Sequence, residues 1–161
     1  MNSGESTTKR NTVAKVKVLV DADVLIAGSA STTGASHIIL QLCDLGFIEG
    51  IISKQVKIEA ERNLKQKLPQ ALPDFGLLID SALTIVEDPS PENIRTYEGW
   101  ADKKDLPILT AALQHDCHYL ITFNVRDYNP PAGQLLVQTP GDFLKKLREH
   151  LTGLILVKTW K

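Results

Sequence analysis

The sequence predicts an α/β fold: a three-layer α/β/α sandwich with a central parallel β-sheet. Two observations carry this. Short β-branched runs alternate with longer stretches whose apolar residues recur at helical spacing. That alternation builds parallel sheets with helices on both faces and right-handed crossovers. The first apolar run, Lys17-Val18-Leu19-Val20, also stops on an acid, in Asp21-Ala22-Asp23. Ligands bind at the carboxyl ends of strands in open parallel sheets. An ionised carboxylate behind a buried strand is costly unless a cation or hydrogen-bond donors meet it.

The elements follow in order. Residues 1–14 are polar, lack the apolar stretch of a signal peptide, and read as a disordered tail. A domain over residues 15–151 begins with a strand from Lys15 to Val20. From Ala35 to Leu45, Ile38, Ile39, Leu42 and Leu45 mark a helix that Gly46 stops. Glu49 to Ser53 is a strand. Lys54 to Lys67 is a helix closed by Pro69, and Phe75 to Leu83 is another. Thr84 to Val86 is a brief strand before Asp88-Pro89-Ser90-Pro91, where two prolines argue a loop. Leu106 to His115 is a helix, Tyr119 to Thr122 a buried strand, and Leu135 to Val137 a last core strand after the turn Asn129-Pro130-Pro131. Pro140 to Leu151 is a helix with Thr139 as its cap and Asp142 in its first turn. Residues 152–161 form an extension, in which Leu154 to Val157 reads as an edge strand or a segment that packs on a partner.

Composition bounds the function. A chain of 161 residues with 43% hydrophobic and 23% charged residues is one ordinary globular domain. A net charge of −1 gives no global attraction to nucleic acid. Cys43 and Cys117 do not make a disulfide framework. No run reaches membrane-spanning length, so a cytoplasmic protein is expected.

Asp21, Ser53, Glu87 and the segment after Thr122 should gather on one sheet edge. Glu59, in the helix after Ser53, Asp105, before the helix at Leu106, and Asp127, past the strand ending at Thr122, can join them. Each has an ordinary explanation. Asp105 is a preferred helix cap, Glu59 shares a wet face with Glu61 and Arg62, and Asp127 suits a turn. Together they are harder to dismiss. At an effective dielectric near 20, each close carboxylate pair costs roughly 4 kcal/mol. A divalent cation removes that cost, and oxygen-only ligation favours Mg²⁺ or Mn²⁺ over zinc. Such an ion offers a bound water as nucleophile for phosphate esters.

Other patterns are weaker. His115-Asp116-Cys117-His118 is too crowded for a structural zinc site. Gly28, Gly34, Gly46 and Gly50 form no phosphate-binding fingerprint. No Gly-x-Ser-x-Gly supports acyl transfer. Trp100 and Trp160 are too isolated for a stacking platform.

From Val16 to about Leu147 the chain resembles the PIN-domain nucleases, which include VapC-type toxins of toxin–antitoxin pairs. The blocks are VLVDADVLIAG, SKQVKIEAERNL, ADKKDLPILTAAL, YLITFNVRDY and TPGDFL, in that order. The resemblance implies Mg²⁺- or Mn²⁺-dependent cleavage of RNA, with Asp21, Glu59, Asp105 and Asp127 as the catalytic acids. Asp21, Asp105 and Asp127 would hold the ion. Asp23, Asn124 and Thr122 would support them from behind. Arg126 and Lys103 would contact the RNA backbone, with Lys54, Lys57 and Lys104 also near the acids in sequence. An antitoxin partner and a homodimer are further implications. There are two departures. Position 23 is Asp where many members carry Asn, and position 124 is Asn where many carry Asp, as in a subgroup with Asn-x-x-Asp.

Two rival functions remain at this level. One is a catalytically weak or silent PIN-like module that binds RNA or protein. The other is an Asp-based phosphoryl-transfer domain, disfavoured because Leu25 stands where phosphatases of the haloacid-dehalogenase type want Thr or Val.

Overall fold

Apolar runs form five strands: β1 (Lys17–Val20), β2 (Glu49–Ser53), β3 (Leu83–Val86), β4 (Tyr119–Ile121) and β5 (Leu136–Gln138). The computed structural model describes the backbone of residues 15–158 and side chains as far as residue 153. All five strands pair in parallel, in the order β3-β2-β1-β4-β5. Leu19 of β1 sits opposite Ile51 on one side and Leu120 on the other. Val18, Leu19 and Val20 are all fully buried, so β1 is covered on both faces, as parallel strands are.

The helices are α1 (Ala22–Ala30), α2 (Ala35–Asp44), α3 (Lys54–Lys67), α4 (Leu72–Ala82), α5 (Pro91–Thr96), α6 (Leu106–Gln114) and α7 (Pro140–Lys158). The chain steps outward from β1 to β2 and β3 through α1 to α4. It then returns across the sheet to β4 through α5 and α6. Right-handed crossovers that run in opposite directions put their helices on opposite faces. Accordingly α1 packs on α2 and α3, and α2 packs on α4 and α7, whereas α5 packs on α6. β1 and β4 are neighbours whose following segments diverge. A crevice opens at their carboxyl ends, the topological switch point where such folds bind ligands.

Three elements differ from the sequence-based expectation. Helix α1 was not anticipated, because it is apolar around its circumference and buries Ala22, Val24, Leu25 and Gly28. It packs so closely on α2 that a Cβ at Gly28 would lie 2.6 Å from Leu40 Cδ1 and 3.0 Å from the Ser36 carbonyl oxygen. Helix α5 starts inside the stretch expected as loop. Ser90 Oγ caps it by accepting from Asn93 N at 3.2 Å, and Pro91 takes the first position. Finally, α7 continues to Lys158, so residues 152–158 form helix and not an edge strand. The capping of α7 is as expected, with Asp142 N donating to Thr139 Oγ1 at 3.2 Å. The polar tail expected over residues 1–14 lies outside the described residues.

The cysteines are both free and buried, and burial pushes each thiol up to about 12. No helix among the described residues is long and apolar enough to cross a membrane.

Candidate active site

Asp21 stands where β1 becomes α1. Its backbone N–H still belongs to the sheet, donating to the Ile121 carbonyl at 3.0 Å. Its side chain caps α1, with Oδ1 accepting from Ala22 N at 2.7 Å. Oδ2 accepts from Thr122 Oγ1 at 2.8 Å and from the Tyr128 hydroxyl at 3.3 Å. Burial nonetheless dominates and raises its pKa, the hydrogen bond from Thr122 opposing most strongly. Thr122 is itself fully buried, and its Oγ1 also accepts from Asn124 N at 3.0 Å. One hydroxyl thus ties the turn after β4 to the acid after β1.

A second group lies across the crevice. Asp105 occupies the capping position of α6, but its side chain makes no capping hydrogen bond. Its Oδ2 is buried with no hydrogen-bond partner among the described residues. Desolvation, then the nearby charge of Asp127, pushes its pKa up to about 6. Asp127 sits in the single 3₁₀ turn Val125–Asp127 that follows β4. Asp102 completes the group. Its backbone N–H donates to the Asp127 carbonyl at 2.8 Å, next to the isolated bridge between Ala101 and Tyr128. One carboxylate oxygen from each of Asp102, Asp105 and Asp127 lies within 4.8 Å of the others.

Glu59 reaches the crevice from the second turn of α3, a helix whose start is fixed by Ser53 Oγ accepting from Val56 N at 3.2 Å. Desolvation and then the charges of Asp21 and Asp23 raise its pKa. Asn124 Nδ2 donates to Asp23 Oδ2 at 2.9 Å. The two positions at which the chain departs from the expected pattern are therefore bonded to each other. An exchange of Asp and Asn between them leaves the charge of the site unchanged.

These side chains share one polar cleft of about 300 Å³, lined by Asp21, Asp23, Gln55, Glu59, Lys104, Asp105, Ile108, Asn124 and Asp127. The four acids expected from the sequence thus converge, and Asp23 and Asn124 join them. Glu87 does not. It is exposed and pairs with Lys54 at 2.7 Å. Among the expected cations, Lys57 is engaged with Glu61 at 3.7 Å. Lys104, not Lys103, lines the cleft, and Arg126 is exposed on the 3₁₀ turn that carries Asp127. Sequence reasoning gave no role to Asp102, Gln55 or Tyr128, and counted Lys104 only among the cations near the acids. All three lie inside the quoted blocks, Tyr128 directly after Asp127, and Asp102 and Gln55 with no spacing that sets them apart.

The donor set fits a hard divalent cation. It is all oxygen, as Mg²⁺ and Mn²⁺ prefer. It includes a buried acceptor without a partner among the described residues, and desolvation together with neighbouring carboxylates raises the pKa of Asp105 and Glu59. The His115 to His118 box gathers no such geometry. His115 ends α6, Asp116 has a φ of 55°, Cys117 is buried, and His118 Nδ1 accepts from Lys17 N at 3.0 Å.

A family model described as PIN domain matches residues 17–126. The chain belongs to the PIN-domain family. Similar solved structures include VapBC2 from Rickettsia felis, bound to a DNA fragment from its promoter. That match has a TM-score of 0.57 and 16% identity, covering 77% of this chain and 98% of that one. PAE2754 from Pyrobaculum aerophilum matches with a TM-score of 0.58 and 18% identity, covering 83% of this chain and 96% of that one. At these identities the structures establish the PIN fold, the parallel sheet with helices on both faces. No curated protein sequence matches. The matched segment contains Asp21, Glu59, Asp102 and Asp105 and ends at Arg126, one residue before Asp127.

Proposed function

We propose that this PIN domain is a divalent-metal-dependent endoribonuclease that hydrolyses RNA phosphodiester bonds as the toxin of a toxin–antitoxin pair. The observation that carries the reading is the buried, unpartnered Oδ2 of Asp105 inside a cluster of carboxylates at the switch point of the sheet.

Asp21, Asp105 and Asp127 would hold Mg²⁺ or Mn²⁺, with Asp102 as an additional donor. The hydrogen bonds to Asp21 do not exhaust it, because an ionised carboxylate offers about four lone-pair sites. When bound, the ion supplies a low-pKa water and charge stabilisation for in-line attack on phosphorus. The residues do the rest. Glu59, raised in pKa and facing Asp21 across the cleft, accepts a proton from the attacking water. Thr122 and Tyr128 hold Asp21 in one rotamer. Asn124 pairs Asp23, limiting repulsion at the mouth. Lys104 offsets the acids from the cleft wall, and Lys103 and Arg126 stand outside it where the RNA backbone would pass.

The toxin reading rests on the blocks of sequence shared with VapC-type proteins and on the fold shared with a VapBC complex. It carries with it an antitoxin partner, a homodimer and a cytoplasmic location. A gene for a small DNA-binding protein immediately upstream would support it.

The test of chemistry is cleavage of an RNA panel in Mn²⁺ by the parent and by Asp21→Asn. Loss of cutting in the variant, and in the parent with EDTA, is the expected result. Equal cutting by both, persisting in EDTA, would overturn the mechanism. A silent binding module is the second reading, which Asn124 keeps open by moving a carboxylate from the segment after β4 to position 23. Calorimetric titration with Mn²⁺ that shows no heat of binding would select it.

A further inference from the structure

A second cavity, of about 540 Å³, adjoins the acid cleft and shares Gln55 and Glu59 with it. Its volume lies in the range of sites that hold small organic ligands. One wall is a single face of α3, since Gln55, Ile58, Glu59, Arg62 and Asn63 recur at helical spacing. The opposite wall is Asp88, from the loop after β3. Its Oδ1 accepts from Gln55 N at 2.9 Å, which orients the carboxylate.

We propose that this cavity takes one unpaired nucleotide of the RNA next to the cut phosphate, with Arg62 on its phosphate and Asp88 selecting a base that bears an amino group. The proposal rests on the ribonuclease reading above. Three features point to a nucleotide. First, the neighbouring cations Lys54 and Lys57 are neutralised by Glu87 and Glu61, whereas Arg62 has no ion-pair partner among the described residues. A planar guanidinium with free donors matches a phosphate. Second, Ile58 is 53% exposed on an otherwise polar wall. It offers an apolar surface to the face of a base that is not stacked in a helix. Third, the cavity ends in the Asp88 carboxylate, whose oxygens accept hydrogen bonds.

That last feature gives selectivity. Adenine, cytosine and guanine each present an exocyclic amino group that can donate to Asp88. Uracil has no amino group; its one edge donor, N3–H, is flanked by two carbonyl oxygens that the carboxylate repels, so it would be held more weakly. A base in a duplex has its Watson–Crick edge occupied, so the cavity favours single strands and loops, where sequence-specific RNA recognition concentrates.

The experiment uses the full chain with Mn²⁺ and a short RNA randomised around the cut, with the cleaved ends sequenced. Uracil should be depleted at one position flanking the cut. Asp88→Asn, which keeps an acceptor for Gln55 N and adds a donor, should admit uracil there. Arg62→Ala should raise KM roughly tenfold with kcat changed little, the loss of one charge-assisted contact that is equal in ground and transition states. Both side chains are exposed, and melting curves matching the parent would show that the variants fold. A parent without base bias beside the cut, or variants with unchanged bias and KM, would overturn this inference and leave the nuclease reading intact. A parent that cuts no RNA at all overturns both.

Discussion

The two ends of the sheet are built from the same strands and do opposite work. At the carboxyl end, β1 and β4 give way to Asp21 and Thr122, and the cleft beyond them is lined mainly by acids. At the amino end, Val16, Ile48, Tyr119, Phe143 and Leu147 line an apolar cavity of about 130 Å³ under α7. There the Phe143 ring meets Tyr119 edge-on, with centroids 5.1 Å apart. One end holds buried charge that the fold only partly compensates. The other adds apolar contact and carries none of the proposed chemistry. Stability and activity should therefore separate by position along the strands.

Substitutions at the two ends can break that separation. The largest effect is expected for Asp105→Asn, which should lower RNA cleavage by roughly 10²- to 10⁴-fold while keeping or raising the melting temperature. A parallel loss of folding would show that Asp105 is structural. The converse is Phe143→Ala, where the side chain is 3% exposed. It should cost about 3–5 kcal/mol in denaturant unfolding, with the cutting rate per folded molecule unchanged.

Next comes the bonded pair at the mouth. Asn124→Asp sets a second carboxylate against Asp23 and should lower the melting temperature by about 2–4 °C. Adding Asp23→Asn should restore most of it. Additive losses in the double variant would mean that the hydrogen bond between them contributes nothing.

The pH dependence sharpens the comparison further. Asp105 is raised from 3.8 to about 6, and Asp21 and Glu59 shift in the same direction. Between those values the folded state binds more protons than the unfolded one. The contribution of Asp105 to stability is thus full below about 3.8 and lost as pH rises through about 6, and the raised Asp21 and Glu59 act in the same sense. Metal-free protein should lose melting temperature across that window, and saturating Mn²⁺ should remove the slope. The smallest effect is expected for Tyr128→Phe. Removing a 3.3 Å hydrogen bond should cost about 0.5–1 kcal/mol and move the acidic limb of the pH–rate profile upward.

Which parts of this were legible beforehand follows from how local their causes are. The strands were readable because each is a short apolar run, and four of the site acids because they lie just beyond strands or at helix starts. Helix α1 was not, since burial on all sides erases helical periodicity. Helix α5 carries the same start signature as α7, Ser90-Pro91-Glu92 against Thr139-Pro140 with Asp142, but its two prolines masked it. The run Leu154 to Val157 suits strand and helix equally, and the continuity of α7 decided it. Asp102 joins Asp127 through a backbone contact between distant loops, a tertiary event with no local trace. Lys104 and Lys103 differ only in which way a turn faces.

The three hydrogen bonds that meet Asp21 also set an order of assembly. A zinc finger waits for its metal because nothing else satisfies its ligands. Here Ala22, Thr122 and Tyr128 already hold in place the acid most deeply placed in the sheet. Under the proposed function the chain would fold first, take up an ion second and meet RNA last. A shortage of metal would then idle the protein without removing it, leaving a folded stock that becomes active as soon as the ion returns.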